Sequence, residues 1–259
     1  MKEVIIENVI ENADITVDDE DTVYTKDYMV DNYPKRPWKA TDILGGAATI
    51  TIDMPSGCDA IALFNIEATE VIFTMKDNLG NPIDGPTTYG IDALTSYYGM
   101  TVGILDNQIK RATLWIDYTY QSNVHTITLA IKNSTGSVAA VGIMRGGLNT
   151  NLPYNPRIGL KEGLIDYSLK KSNANGSAYY QKKDIIRTFS GSSLMGRNKM
   201  FYKVMAQIAQ TKGEEPLAWK ITDLGENQWN VFAGFKGMPS GGHDFTNYTN
   251  LSWNLVEAL

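Results

Sequence analysis

Strict alternation of apolar and polar residues dominates the first half of the chain. TITIDM (49–54) alternates and then meets Pro55-Ser56-Gly57, the pattern of a half-buried strand closed by a turn. AIALFNIEA (60–68) is a nearly continuous apolar run broken at Asn65. TEVIFTMKD (69–77) places Val71, Phe73 and Met75 on one side. RATLWIDYTYQ (111–121), HTITLAIKN (125–133) and SVAAVGIMRGG (137–147) repeat the signal, whereas DNLGNPIDGP (77–86) reads as turn chemistry. GIDALTSYYGMTVGI (90–104) fits either a short helix followed by a strand or an irregular aromatic loop. No long amphipathic helix interrupts the set before residue 150, so nothing is available to cover a parallel sheet. The pattern predicts an antiparallel β-sandwich of jelly-roll type over 1–150.

Near residue 150 the texture changes. LNTNLPYNPRIGLKEG (148–163) reads as a linker or an arm. Beyond it, IDYSLKKS (165–172) and SAYYQKK (177–183) flank the turn SNANG, a hairpin pattern, and DIIRTFSGS (184–192) reads as a strand. Asn198 is placed to cap a helix carrying Met200, Phe201, Val204, Met205, Ile208 and Ala209, with Gly213 as its stop. EPLAWKIT (215–222), NQWNVFAGFKG (227–237) and NYTNLSWNLVEAL (247–259) alternate again. The expected fold class is mainly β: a sandwich over 1–150, then a smaller α+β domain over 151–259 with one clear helix.

The 259 residues carry a net charge of −6, which argues against broad nucleic-acid binding, since phosphate neutralisation needs clustered cations. One cysteine excludes an internal disulfide, and two histidines are too few for the usual zinc sites unless carboxylates complete the shell. The opening residues, broken by acids, are not expected to act as a signal peptide, and no apolar run is long enough to span a bilayer. No phosphate loop, dinucleotide fingerprint or nucleophile elbow occurs.

Asp18, Asp19, Glu20 and Asp21 form an acidic run that fits a solvated loop, with calcium the one cofactor it suggests; its spacing is not that of an EF-hand. Asp53, Asp59, Asp77 and Asp84 read as turn formers. His125 opens a strand, and His243 adjoins Asp244, a pairing that needs a turn to bring both side chains together. Fourteen tyrosines and five tryptophans, Tyr97, Tyr98, Tyr118, Tyr120, Tyr179 and Tyr180 among them, suit a sugar platform or a core. In DNYPKRPWKATD (31–42), two prolines stiffen a segment where Lys35, Arg36 and Lys39 surround Trp38. Arg36 and Trp38 are the candidate interface or ligand anchor, the alternative being a structural clasp at the edge of the core.

Tyr33, Pro34, Arg36, Trp38, Thr41 and Asp42 together resemble a segment that opens the N-terminal jelly-roll module of tailed-bacteriophage tail and tail-tip structural proteins. GLKEGLIDYSLKKS (159–172) and KVMAQIAQ (203–210) are similar to parts of the second domain of such proteins. The resemblance implies a non-enzymatic virion part, assembled in the host cytoplasm through contacts with other virion proteins and copies of itself. Discoidin-like relatives of the module bind sugars in some cases, which implies a host glycan as the alternative partner; the cysteine pair of those relatives is missing here. A polysaccharide-acting hydrolase is the third expectation. No nucleic acid, membrane insertion, catalytic residue or required metal is implied.

Overall fold

A computed structural model describes residues 2–41, 43, 46–91, 112–134, 138–152, 160–172, 178–181, 183–196, 205, 206, 208, 210–222, 229–245 and 248–258. The chain divides into two compact units. One comprises residues 3–151 with 218–231; the other comprises 1–2, 152–217 and 232–259. Of the linker 148–163, residues 153–159 lie outside the described residues, as do Tyr97 and Tyr98.

In the first unit the strands are β1 (Glu3–Ile5), β2 (Asp14–Val17), β3 (Trp38–Ala40), β4 (Ala47–Met54), β5 (Cys58–Glu67), β6 (Glu70–Asp77), β7 (Pro82–Gly90), β8 (Ala112–Gln121), β9 (His125–Lys132), β10 (Ala139–Gly147) and β11 (Asn149–Asn151). One antiparallel sheet runs β3-β10-β5-β8 and the other β2-β4-β9-β6-β7. The two apolar faces close on one core. Ile50, Ile52, Val71, Phe73, Ile127 and Leu129 come from the second sheet, and Ile61, Leu63, Leu114, Ile116 and Val141 from the first. Period-2 alternation gives each strand one face for this core, and the strict pattern of β4, β6 and β9 appears directly as alternating burial. β10 differs, because all nine of its residues are buried. Its second face is covered by the segment before β3 and by a 3-10 turn at Val9–Asn12. Strand β16 (Leu217–Lys220) pairs through Lys220 with Glu3 on β1, which in turn pairs with β11.

At one end of this core, Tyr118 stacks on Phe73 with ring centroids 5.9 Å apart and meets His125 edge-on at 5.6 Å. The Asn123 carbonyl, 3.1 Å from His125 Nδ1, can only accept, so Nδ1 carries the proton and Nε2 faces the Tyr118 hydroxyl at 3.4 Å. Burial holds the imidazole pKa below its ordinary value, more strongly than the Asn123 bond raises it. A depressed folded-state pKa gives stability that is complete above the unfolded value and is lost as pH falls through the folded one. The melting temperature is therefore expected to drop as pH falls below about 6.5. His125→Gln should flatten that part of the profile; an unchanged slope would show that other groups set it.

The second unit contains β12 (Lys161–Asp166), β13 (Leu169–Ser172), β14 (Ala178–Gln181), β15 (Ile185–Gly196), β17 (Asn230–Phe235), β18 (Ser240–Phe245) and β19 (Tyr248–Glu257), β17 entering it at Phe232. Here β19 pairs with β17, β15 and β18, and β15 also pairs with β12. Strands β13 and β14 form their own two-stranded ribbon.

The expected fold class is corrected at this point. The structure is almost entirely β-strand, and among the described residues there is no helix of seven residues or more and no separate α+β domain. The expected strand over 184–192 continues to Gly196, its backbone groups satisfied by a ladder with β19 from Thr188↔Val256 to Gly196↔Tyr248. Asn198, Met200, Phe201, Val204 and Ala209 lie outside the described residues. Among the described residues, α-helical backbone is found at Met205, Ala206, Ile208 and Gln210–Lys212, with Met205 and Ile208 buried, and Gly213 at φ 58° follows it. No helix of the described residues is long and apolar enough to cross a membrane.

Candidate functional site

The segment 30–37 is held against the outer face of β10 and β5 by three devices. Arg145 on β10 is buried and spreads its guanidinium over the segment's backbone. It donates from one terminal nitrogen to the Val30 carbonyl at 3.1 Å, and from the other to the Asp31 carbonyl at 2.9 Å and to Asn32 Oδ1 at 2.6 Å. Asn65 adopts φ 55°, a left-handed conformation that asparagine tolerates better than most residues, and its Nδ2 donates to the Pro34 carbonyl at 2.8 Å. Gly142 leaves room for this contact, since a Cβ there would lie 2.7 Å from Asn65 Cβ and 2.8 Å from the Pro34 carbonyl oxygen. Local turns complete the shape: Asp31 Oδ1 accepts the Tyr33 N–H at 2.7 Å, and the Arg36 N–H donates to the Tyr33 carbonyl at 2.9 Å.

This scaffold presents Tyr33 outward, 58% exposed, with the exposed Arg36 guanidinium 5.2 Å from its ring centroid. Trp38, two residues on, is fully buried on β3 opposite Val141, and its indole N–H has no hydrogen-bond partner among the described residues. Lys39 lies over Tyr24 at 3.9 Å. Of the residues singled out in the sequence, Arg36 is therefore at the surface and Trp38 in the core. Arg145 and Asn65, which place the segment, were missed; the available signal was an arginine inside an otherwise apolar strand.

The acidic run turns inward on backbone donors. Asp18 accepts the Thr49 N–H at 2.7 Å and Asp19 the Thr41 N–H at 3.0 Å; Glu20 accepts from Lys26, and Asp21 accepts from Val23 at 2.7 Å. Its carboxylates thus staple loops together. Among the described residues no group of three or more His, Cys, Asp and Glu is arranged to hold a metal.

A second polar constellation gathers residues far apart in sequence. Lys220 Nζ lies 2.9 Å from Glu3 and 2.8 Å from Asp117. Asp117 Oδ1 also accepts from Trp115 Nε1 at 2.8 Å and Asn149 Nδ2 at 3.1 Å. Burial alone would lower the Lys220 pKa, but its hydrogen bond to Asp117 and the attraction of both carboxylates outweigh that and hold it above its ordinary value. Asp59 is raised first by burial and further by Asp117 and Glu3, against the lowering effect of the Asn149 N–H it accepts. Both Asp117 oxygens are thus committed to donors that tie β1, β8, β11 and β16 together. Cys58 is buried, its thiol pushed up to about 11 by desolvation and then by Asp59, which suits packing better than nucleophilic chemistry. His243 and Asp244 are consecutive residues of β18.

No protein-family model matches the chain, and no curated protein matches it. Among solved structures, the sandwich weakly resembles the family 32 CBM from C. perfringens NanJ in complex with galactose, at 10% identity over 57% of this chain and 99% of that one, with a TM-score of 0.40. A chitosan-binding module of a chitosanase/glucanase from Paenibacillus sp. IK-5 matches at 12% identity over 54% and 98%, TM-score 0.37. Reduced XRCC1 bound to the DNA pol beta catalytic domain matches at 8% identity over 56% and 98%, also with a TM-score of 0.37. Likenesses this distant span sugar-binding and protein-binding chains alike and decide no ligand.

Proposed function

We propose that the protein is a non-catalytic recognition module whose sandwich engages carbohydrate through Tyr33 and Arg36. The observation that carries this reading is pre-organisation. An exposed ring and a cation sit on a segment whose backbone is fixed by Arg145 and Asn65, so little ordering entropy is spent on binding. A tyrosine face can stack on a sugar ring while the guanidinium donates to its hydroxyls or carboxylate. The measurement is a glycan-array screen followed by calorimetry on the full chain. Tyr33→Ala should weaken saturable sugar binding by about tenfold or more at unchanged melting temperature, the size expected for losing an aromatic anchor. Unaltered binding would remove Tyr33 from the site, and turnover of a polysaccharide would overturn the non-catalytic reading.

A second reading has the same pair anchoring the chain to neighbours in a tailed-phage particle assembled in the host cytoplasm. Tyrosine and arginine are the side chains enriched at the centres of protein interfaces, and residues 33–42 carry the resemblance to tail modules. Stoichiometric recovery of the chain in purified particles, lost with Tyr33→Ala, would favour this reading over the first.

A further inference from the structure

The ribbon β13–β14 pairs Lys170 with Tyr180 and Lys171 with Tyr179. Directly opposed residues of an antiparallel pair share a face, and successive pairs alternate between faces. Each face of the ribbon thus carries one lysine and one tyrosine. Tyr179 is 58% exposed and Tyr180 59% exposed, and both lysines are exposed. Neither Lys170, Lys171 nor the nearby Lys183 forms an ion pair among the described residues.

The ribbon's base is fastened. Ser168 Oγ accepts the Lys183 N–H at 3.0 Å, and the Tyr180 hydroxyl reaches Asp166 Oδ2 at 3.4 Å. Its outer part pairs with no other described strand, and a lone two-stranded hairpin gains little stability from its own contacts. Among the described residues, lysines without an ion-pair partner are interleaved with exposed rings here, in a chain of net charge −6.

We infer that this ribbon is a binding site for acidic polysaccharide, each face offering one lysine to a sugar carboxylate and one tyrosine to a sugar face, Lys170 with Tyr180 on one side and Lys171 with Tyr179 on the other. The described ribbon offers ammonium point charges and no guanidinium fork. That favours single carboxylates spaced along a sugar chain over the bidentate phosphate grip typical of nucleic-acid sites. The tyrosine faces supply stacking that a bare polyanion would not use. The ribbon belongs to the second unit, so the inference stands apart from the Tyr33 site.

The test uses the full chain carrying Tyr33→Ala, so that the proposed sandwich site does not contribute, with polygalacturonate as probe and neutral dextran and duplex DNA as comparisons. Polygalacturonate should bind, dextran should not, and affinity should fall with added salt. The double variant Lys170→Gln with Lys171→Gln should lose about tenfold in affinity and show a shallower salt dependence at an unchanged melting temperature. Tyr179→Ala with Tyr180→Ala should lose affinity with the salt dependence retained. No polygalacturonate binding at low salt, or full binding by the lysine variant, would overturn the site. Tighter binding of DNA than of polygalacturonate, or full binding by the tyrosine variant, would overturn the sugar assignment.

Discussion

Glu257→Ala is expected to lower the unfolding free energy by about 3–5 kcal/mol, because it strands a buried guanidinium. Arg187 and Glu257 are 6% exposed each. Glu257 Oε1 takes both Arg187 Nε at 3.2 Å and a terminal nitrogen at 2.9 Å, and Oε2 takes the Arg187 backbone N–H at 3.2 Å. The pair lies beside the β15–β19 ladder, with the guanidinium 5.4 Å from the Phe189 ring. Removing both charges together is a different matter, since desolvation offsets much of what the pair contributes. Arg187→Met combined with Glu257→Leu should recover most of the loss in a denaturant titration. A single variant costing under about 1 kcal/mol would mean that water reaches the pair and it behaves as a surface bridge.

Trp38→Ala is expected to cost a similar amount, about 3–5 kcal/mol, for a fully buried tryptophan leaving a cavity. The effect should reach the surface. Trp38 and Arg36 are separated by one residue, so collapse around the cavity shifts the end of the segment that presents Tyr33. Both melting temperature and sugar binding should therefore fall. Trp38→Phe should cost less, because it keeps most of the apolar volume and deletes an indole N–H that has no partner among the described residues. A Trp38→Ala protein that melts like the parent but no longer binds would place the ring at an interface instead.

The sandwich strands β4, β6 and β9 were legible because each is long enough for period-2 alternation to show and one buried face enforces it, whereas β5, β8 and β10, buried along most or all of their length, showed as apolar runs. β7 was not legible. Its opening residues read as turn chemistry, yet the strand begins at Pro82, a residue tolerated where the outer side of a strand is unpaired, as β7 is among the described strands. The three-residue strands β1 and β3 are too short to carry a period. Met205 and Ile208 do face a core at helical spacing, but spacing alone does not set helix length, and the Ser- and Gly-rich residues before them belong to a strand. The segment 30–37 was visible as a proline-stiffened cluster of cations and aromatics. What holds it was not, because Arg145 and Asn65 act across separations that local patterning does not encode. The Glu3–Asp117–Lys220 constellation escaped for the same reason, each member reading alone as an ordinary surface charge.

Arg145 reaches Val30, Asp31 and Asn32 across 113–115 positions of sequence. On the ribosome, the presenting segment is therefore made long before the side chain that shapes it. At about 5–20 residues per second, several seconds of synthesis separate the two. During that interval Tyr33 and Arg36 belong to an unformed loop with no fixed partner geometry. A chain truncated ahead of β10 would carry every surface residue of the proposed site and still be unable to bind. The proposed site can thus take its shape only once β10 has emerged.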